Sequence, residues 1–115
     1  MDFPKRGEIW LVTLEPVVGH EIGKTRPALV ISNDRNNQFA DTITVLPITS
    51  KTGKIFLFET FLSKEETGLS VDSKVKSNQV RTIDKKRLIK LLSHVSAEKI
   101  KQIEEALLIH LGVGF

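Results

Sequence analysis

The sequence predicts a mainly β fold: a compact β-barrel of short strands with one α-helix packed on it at the C-terminal end. Three observations carry this. Short apolar, β-branched runs separated by turn residues fill the first two-thirds of the chain. Clear helical periodicity appears only in the last twenty residues or so. The 115 residues suit one domain, 1–115, with a single modest core and no room for a second.

The elements follow in order. Ile9 to Leu14 alternates Ile9, Leu11 and Thr13 with Trp10, Val12 and Leu14, the period of a strand. Ala28 to Ile31 and Ile43 to Ile48 are β-branched runs of strand length. Ile55 to Phe58 reads as another strand, after the turn signal Lys51-Thr52-Gly53-Lys54. Val75 to Ile83 alternates side chains along a single polar strand. Leu88, Leu91, Leu92 and Val95 stand at helical spacing, in a run too short for periodicity to choose helix or strand. Ser96 is a good N-cap and Glu98 falls in the first turn, where the helix dipole favours an acid. Ile100, Ile103, Leu107 and Leu111 then mark one helix face, and Gly112 supplies a stop. Ser63 to Ser70 reads as a polar connection or short helical turn. Glu15 to Thr25, with Gly19 and Gly23, is long for a hairpin loop in so small a domain, and such loops are often functional.

Composition narrows the chemistry. With 40% hydrophobic and 27% charged residues the chain is an ordinary globular protein. No apolar run of about 18 residues is present to span a membrane, and the N-terminus lacks the apolar core of a secretory signal, so a cytoplasmic location is expected. The absence of cysteine removes disulfides, thiolate catalysis and zinc–thiolate sites. His20, His94 and His110 show no ligand spacing, and no metal or cofactor is expected. No glycine-rich phosphate loop follows a strand, and no nucleophile elbow occurs.

The net charge of +3 is small, but Lys74, Lys76, Arg81, Lys85, Lys86, Arg87 and Lys90 are opposed locally only by Asp84. Such a run can hold a phosphate backbone through counterion release, and it equally serves as a solvated face. Arg26 precedes Pro27, which pushes its backbone toward an extended conformation at a loop–strand junction. An arginine there can grip a phosphate with two parallel hydrogen bonds, or simply begin a strand. Thr49 and Ser50 offer hydroxyls at a strand end, and His20 is the nearby side-chain type that titrates around neutrality.

Gly7-Glu8-Ile9-Trp10-Leu11-Val12, Gly19-His20-Glu21 and Thr25-Arg26-Pro27-Ala28-Leu29-Val30-Ile31 resemble the opening of the MazF/PemK ribonuclease toxins. Pro47-Ile48-Thr49-Ser50 resembles that family's second motif, and Gln79-Val80-Arg81-Thr82-Ile83-Asp84-Lys85-Lys86-Arg87-Leu88 its third. The resemblance runs in order from Arg6 to the terminal helix. It implies an SH3-like barrel, commonly a homodimer, in which Leu88 to Val95 is a strand. It also implies cleavage of single-stranded mRNA at a short word without a metal. The 2′-hydroxyl attacks, leaving a cyclic phosphate and a free 5′-hydroxyl. The implied partner is a MazE-like antitoxin whose acidic, partly disordered tail covers the RNA groove.

By position, the resemblance makes Arg26 and Thr49 catalytic, with His20 as proton acceptor or RNA contact. Guanidinium rarely gives up its proton, so Arg26 suits transition-state stabilisation better than acid–base work. Glu21, Ser50, Lys76, Asn78 and Gln79 are expected to bind RNA. The PemK-like branch carries an Arg and an Asp where this chain has Lys76 and Asn78, which raises the weight on His20 for proton transfer. The basic run is expected to face RNA as far as Arg81 and to be solvated from Lys85 to Lys90. Two other readings share parts of this pattern: a gyrase-poisoning toxin of the CcdB kind, and a non-catalytic RNA-binding barrel.

Overall fold

A computed structural model describes residues 2–114. Strands β1 (Glu8–Thr13), β2 (Thr25–Val30), β3 (Thr42–Thr49), β4 (Glu59–Leu62), β5 (Ser73–Lys76), β6 (Arg81–Asp84) and β7 (Leu88–His94) form one antiparallel sheet. Its order is β4-β5-β3-β2-β1-β7, with β6 also on β3. The sheet is not closed into a ring, but its curl is barrel-like, as the strand pattern predicts. Helices α1 (Asp34–Phe39), α2 (Lys64–Thr67) and α3 (Ala97–Leu111) complete the chain.

The central strands are apolar on both faces, so the sheet buries two clusters. Leu29, Leu46, Ile48, Leu62 and Val75 meet Ile103 of α3 on one face. Val12, Ala28, Val30, Ile43, Val45 and Ile83 fill the other. Ile22, from the long loop, packs against this second cluster and fastens the loop to the core. Leu88–His94 pairs with β1 as a strand, with two register irregularities, as the family resemblance implies.

Two strand expectations change. Ile55 to Phe58 is not a strand: the Glu59 N–H donates to the Phe56 carbonyl at 2.9 Å, closing a turn, and β4 begins only there. Its Phe56 and Leu57 are exposed, so an apolar run here does not signify core. Val75 to Ile83 is not one strand, because a 3-10 turn at Ser77–Gln79 separates β5 from β6. The two pieces pair with different halves of β3, β6 with Thr42–Val45 and β5 with Ile48–Thr49. The handover falls beside Pro47, which has no N–H for a ladder.

The helix starts and stops where the caps predict. The Ser96 hydroxyl accepts the Lys99 N–H at 3.1 Å, and Gly112 ends α3 in the left-handed region at φ 71°. The buried face differs: Ile103 and Ala106 are enclosed, whereas Leu111 is 54% exposed, because the last turn runs past the sheet. Helix α1 has no apolar stripe to announce it. It is held instead by Asn33, whose side chain accepts the Asn36 N–H, and by buried Asn37, whose amide donates to the Ser32 carbonyl at 2.8 Å.

Replacing Ile103 by Ala empties a fully packed site and is expected to lower unfolding free energy by about 2–5 kcal/mol. Leu111→Ala should change it by less than about 0.5 kcal/mol. Urea denaturation of the two variants beside wild type checks both values.

Candidate active site

The strand ends and the long loop enclose a cleft of about 590 Å³. Arg26 enters it from the start of β2, Thr49 from the end of β3, and Lys74 and Lys76 from β5. Glu15, His20, Glu21 and Gly23 form its loop side. Of the eight site residues expected from sequence, seven line this cleft: His20, Glu21, Arg26, Thr49, Ser50, Lys76 and Gln79. Asn78 does not. The 3-10 turn rotates it off the β5 face into an adjoining depression shared with Glu21 and Gln79. Its Oδ1 is buried there without a hydrogen-bond partner among the described residues.

The loop is latched along its length. The Leu14 N–H donates to the Lys24 carbonyl at 2.9 Å, and the Lys24 N–H to Glu15 Oε1 at 2.6 Å. Glu21 Oε1 accepts the Val18 N–H at 2.6 Å, and Gln79 Oε1 accepts the Ile22 N–H at 3.2 Å. Gln79 therefore holds the loop with its carbonyl oxygen and keeps its amide N–H groups for a ligand. A Cβ on Gly23 would lie 2.6 Å from Glu15 Oε1 and 3.0 Å from a Val17 methyl, so a larger residue there would displace the Glu15 side chain from the Lys24 N–H.

Arg81 and Arg87 change role. Arg81 Nη1 donates to the Leu14 carbonyl at 2.6 Å, while Arg87 Nη1 donates to the Thr13 carbonyl at 3.3 Å and to that of Glu15. Both clasp the loop base, so Arg81 is not simply a groove residue and Arg87 is not simply solvated. His94 and His110 lie exposed, away from the cleft.

Arg26 gives its Nε–H to the Gly23 carbonyl at 2.7 Å, which fixes the guanidinium plane. Its terminal Nη groups have no partner among the described residues and can take two phosphate oxygens. Thr49 Oγ1 accepts the Lys51 N–H at 3.2 Å, so its own proton is left to donate. Lys24, Arg26, Lys51, Lys74 and Lys76 face the cleft against Glu15 and Glu21 alone. The arrangement suits a phosphodiester whose charge grows during reaction.

Glu59 escapes sequence reasoning, and Lys74, expected only as part of the RNA-facing basic run, has a defined place. Lys74 sits opposite Thr49 in the β3–β5 ladder and is buried. Glu59, opposite Lys76 in the β4–β5 ladder, has a side chain only 1% exposed. Its Oε1 accepts from Lys74 Nζ at 2.9 Å and from the Phe56 N–H at 3.0 Å, and its Oε2 accepts from Lys76 Nζ at 3.0 Å. Lys74 Nζ also donates to the Lys54 carbonyl at 2.9 Å. The alternation of Lys74 and Lys76 signals a shared face, but nothing local in the sequence sets their register with Glu59. Among the described residues, no three His, Asp or Glu side chains gather as a metal site. Among the described residues no helix is long and apolar enough to cross a membrane.

Burial alone would push the Glu59 carboxyl up. The Phe56 N–H and the two ammonium groups outweigh it and hold the carboxyl below its ordinary 4.5. The stability this carboxylate contributes is then present above pH 4.5 and lost as pH falls through its lowered folded value. The urea midpoint of wild type minus that of Glu59→Gln should therefore be largest near pH 7 and shrink on acidification below that range. A constant difference would remove Glu59 from acid unfolding.

Known proteins match along nearly the whole chain. The family model of the PemK-like, MazF-like toxin of type II toxin–antitoxin system matches residues 5–111. Endoribonuclease MazF9 of Mycobacterium tuberculosis is 45% identical over 114 residues, spanning 95% of this chain and 97% of that protein. The crystal structure of MazF from Deinococcus radiodurans superposes with a TM-score of 0.86 at 26% identity, covering 98% of this chain and 100% of the other. MazF from a MazE–MazF complex of the same organism gives 0.78 at 28% identity, covering 99% and 100%. With its barrel-like sheet, its ordered motifs and this coverage, the chain belongs to the PemK-like, MazF-like toxin family of type II toxin–antitoxin systems.

Proposed function

We propose that this chain is the endoribonuclease toxin of a toxin–antitoxin pair, cutting single-stranded mRNA at a short word without a metal. One observation carries the reading: Arg26 and Thr49 present free donors into a cleft that His20 also lines. The name of the 45%-identical relative points to the same activity.

The chemistry follows from these groups. His20 takes the proton of the 2′-hydroxyl beside the scissile phosphate, imidazole being the side chain that changes charge near neutrality. The 2′-oxygen bonds to phosphorus, and the pentacovalent state gathers negative charge on its non-bridging oxygens. Arg26 accepts that charge through two N–H groups, and the Thr49 hydroxyl donates to a third position. The bond to the 5′-oxygen breaks, that oxygen takes a proton from solvent water, and a 2′,3′-cyclic phosphate remains. No step requires a metal ion. Glu21, Ser50, Lys76 and Gln79 bind the strand on either side, and Asn78 reaches a flanking nucleotide from its own depression.

The excess of cations around the cleft also suits an acidic peptide. A MazE-like antitoxin would cover it with a disordered acidic tail, in keeping with the solved MazE–MazF complex. We place the toxin in the cytoplasm, where mRNA is met, and expect a homodimer.

Purified protein incubated with a long single-stranded RNA in EDTA should give discrete cuts ending in cyclic phosphate. Arg26→Ala should lower kcat about 100- to 1000-fold with its fold intact by circular dichroism. No cutting of varied RNAs by folded wild type would sink the reading; gyrase-dependent DNA breaks would indicate the CcdB-like alternative, and salt-dependent RNA binding alone a binding barrel.

His20→Ala should lower the rate near pH 7 more than it weakens RNA binding, and should remove one limb of the pH–rate profile. An unaltered profile would take His20 out of proton transfer.

A further inference from the structure

We infer that Glu59 is a positioning residue of this reaction, holding the ammonium groups of Lys74 and Lys76 at fixed points in the cleft lining near Thr49. The inference rests on the ribonuclease reading and deepens it. Glu59 itself does not line the cleft, whereas both lysines do.

The geometry is unusual for a stabilising contact. Glu59 accepts one lysine on each oxygen, and the Phe56 N–H fixes the carboxylate from behind. A buried ion cluster adds little net stability over apolar side chains of the same volume, because three charges lose their hydration. The cluster is also unbalanced: two cations share one anion, leaving a net positive charge on two lysines that line the cleft. Without the carboxylate, two ammonium groups from alternate residues of β5 would repel each other and one would swing out to solvent. With it, Lys74 keeps an unshared N–H and Lys76 two, since only the bonds to Glu59 and the Lys54 carbonyl are formed among the described residues.

Register carries the rest. Thr49 is the cross-strand neighbour of Lys74, and Glu59 of Lys76, so β3, β5 and β4 align the hydroxyl, both cations and the carboxylate across three strands. Cations held in place before reaction cost no reorganisation when charge develops on the phosphate. A freely rotating lysine would bind the ground state equally well and contribute less to the chemical step.

The test is steady-state cleavage of a defined single-stranded RNA by Glu59→Gln. That change is isosteric, removes the carboxylate charge and leaves the cleft one charge more positive. The expected result is a kcat lower by about ten- to a hundredfold with KM unchanged or reduced, and a salt dependence steeper by about one counterion. In a Lys74→Met, Lys76→Met background, adding Glu59→Gln should cost no further kcat. A raised KM with unchanged kcat, or an equal further loss in the double-lysine background, would overturn the inference. Should Glu59→Gln not fold, Glu59→Asp keeps the charge but is too short to hold both lysines. A kcat loss at unchanged KM then supports the positioning role, and wild-type kcat overturns it. Failure of wild type to cut would overturn the ribonuclease reading itself, whereas wild-type cutting with an indifferent Glu59 would overturn this inference alone.

Discussion

Strand β3 bears two partners in succession along one edge, and everything around the cleft depends on that. Its first half pairs with β6 and its last residues with β5, while β2 runs along the opposite side. Eight residues are enough for both partnerships only because the chain breaks at Ser77–Gln79 and crosses from one to the other. The break brings β5 against the end of β3, so Thr49 and the lysines of β5 meet where the sheet opens. It also delivers Gln79 to the loop and turns Asn78 aside. The same kink thus sets the floor of the cleft and divides it from its neighbour.

Around this frame the charged side chains divide into two populations. Arg81 and Arg87 bond to backbone carbonyls at the loop base and act as structural ties. Arg26, Lys74 and Lys76 each satisfy part of their donor set internally and keep the remainder toward the cleft. Partial commitment fixes a cation's direction without neutralising it, the condition for meeting charge that appears only in a transition state.

Much of this was legible in the sequence, for reasons that differ by element. β1, β2 and β3 announce themselves because β-branched runs bounded by turn residues leave little alternative. α3 is fixed by Ser96 and Gly112, whose capping chemistry is local. Leu88 to Val95 was undecided by periodicity and needed the family motifs. Arg26, Thr49 and His20 could be expected to share one cleft because their motifs are contiguous. The ladder that opposes Glu59 to Lys76 could not, since register between β4 and β5 depends on the whole α2 connection. Phe56 and Leu57 misled because an exposed apolar run has the composition of a core strand. Arg81 misled because a clasp and a groove contact look alike until the carbonyl beside them is known.

The arginine clasp has a consequence for synthesis. Arg81 and Leu14 are 67 residues apart, and Arg87 and Thr13 are 74 apart, so the loop bearing His20 is fastened by residues from the last third of the chain. A growing polypeptide carries Arg26 and Thr49 well before β6 and β7 leave the ribosome, and lacks these ties until they do. Contacts of such long sequence separation form late, after closure of the intervening chain. The cleft is therefore incomplete while the message is still being read, and its loop side is tied down only once translation has nearly finished.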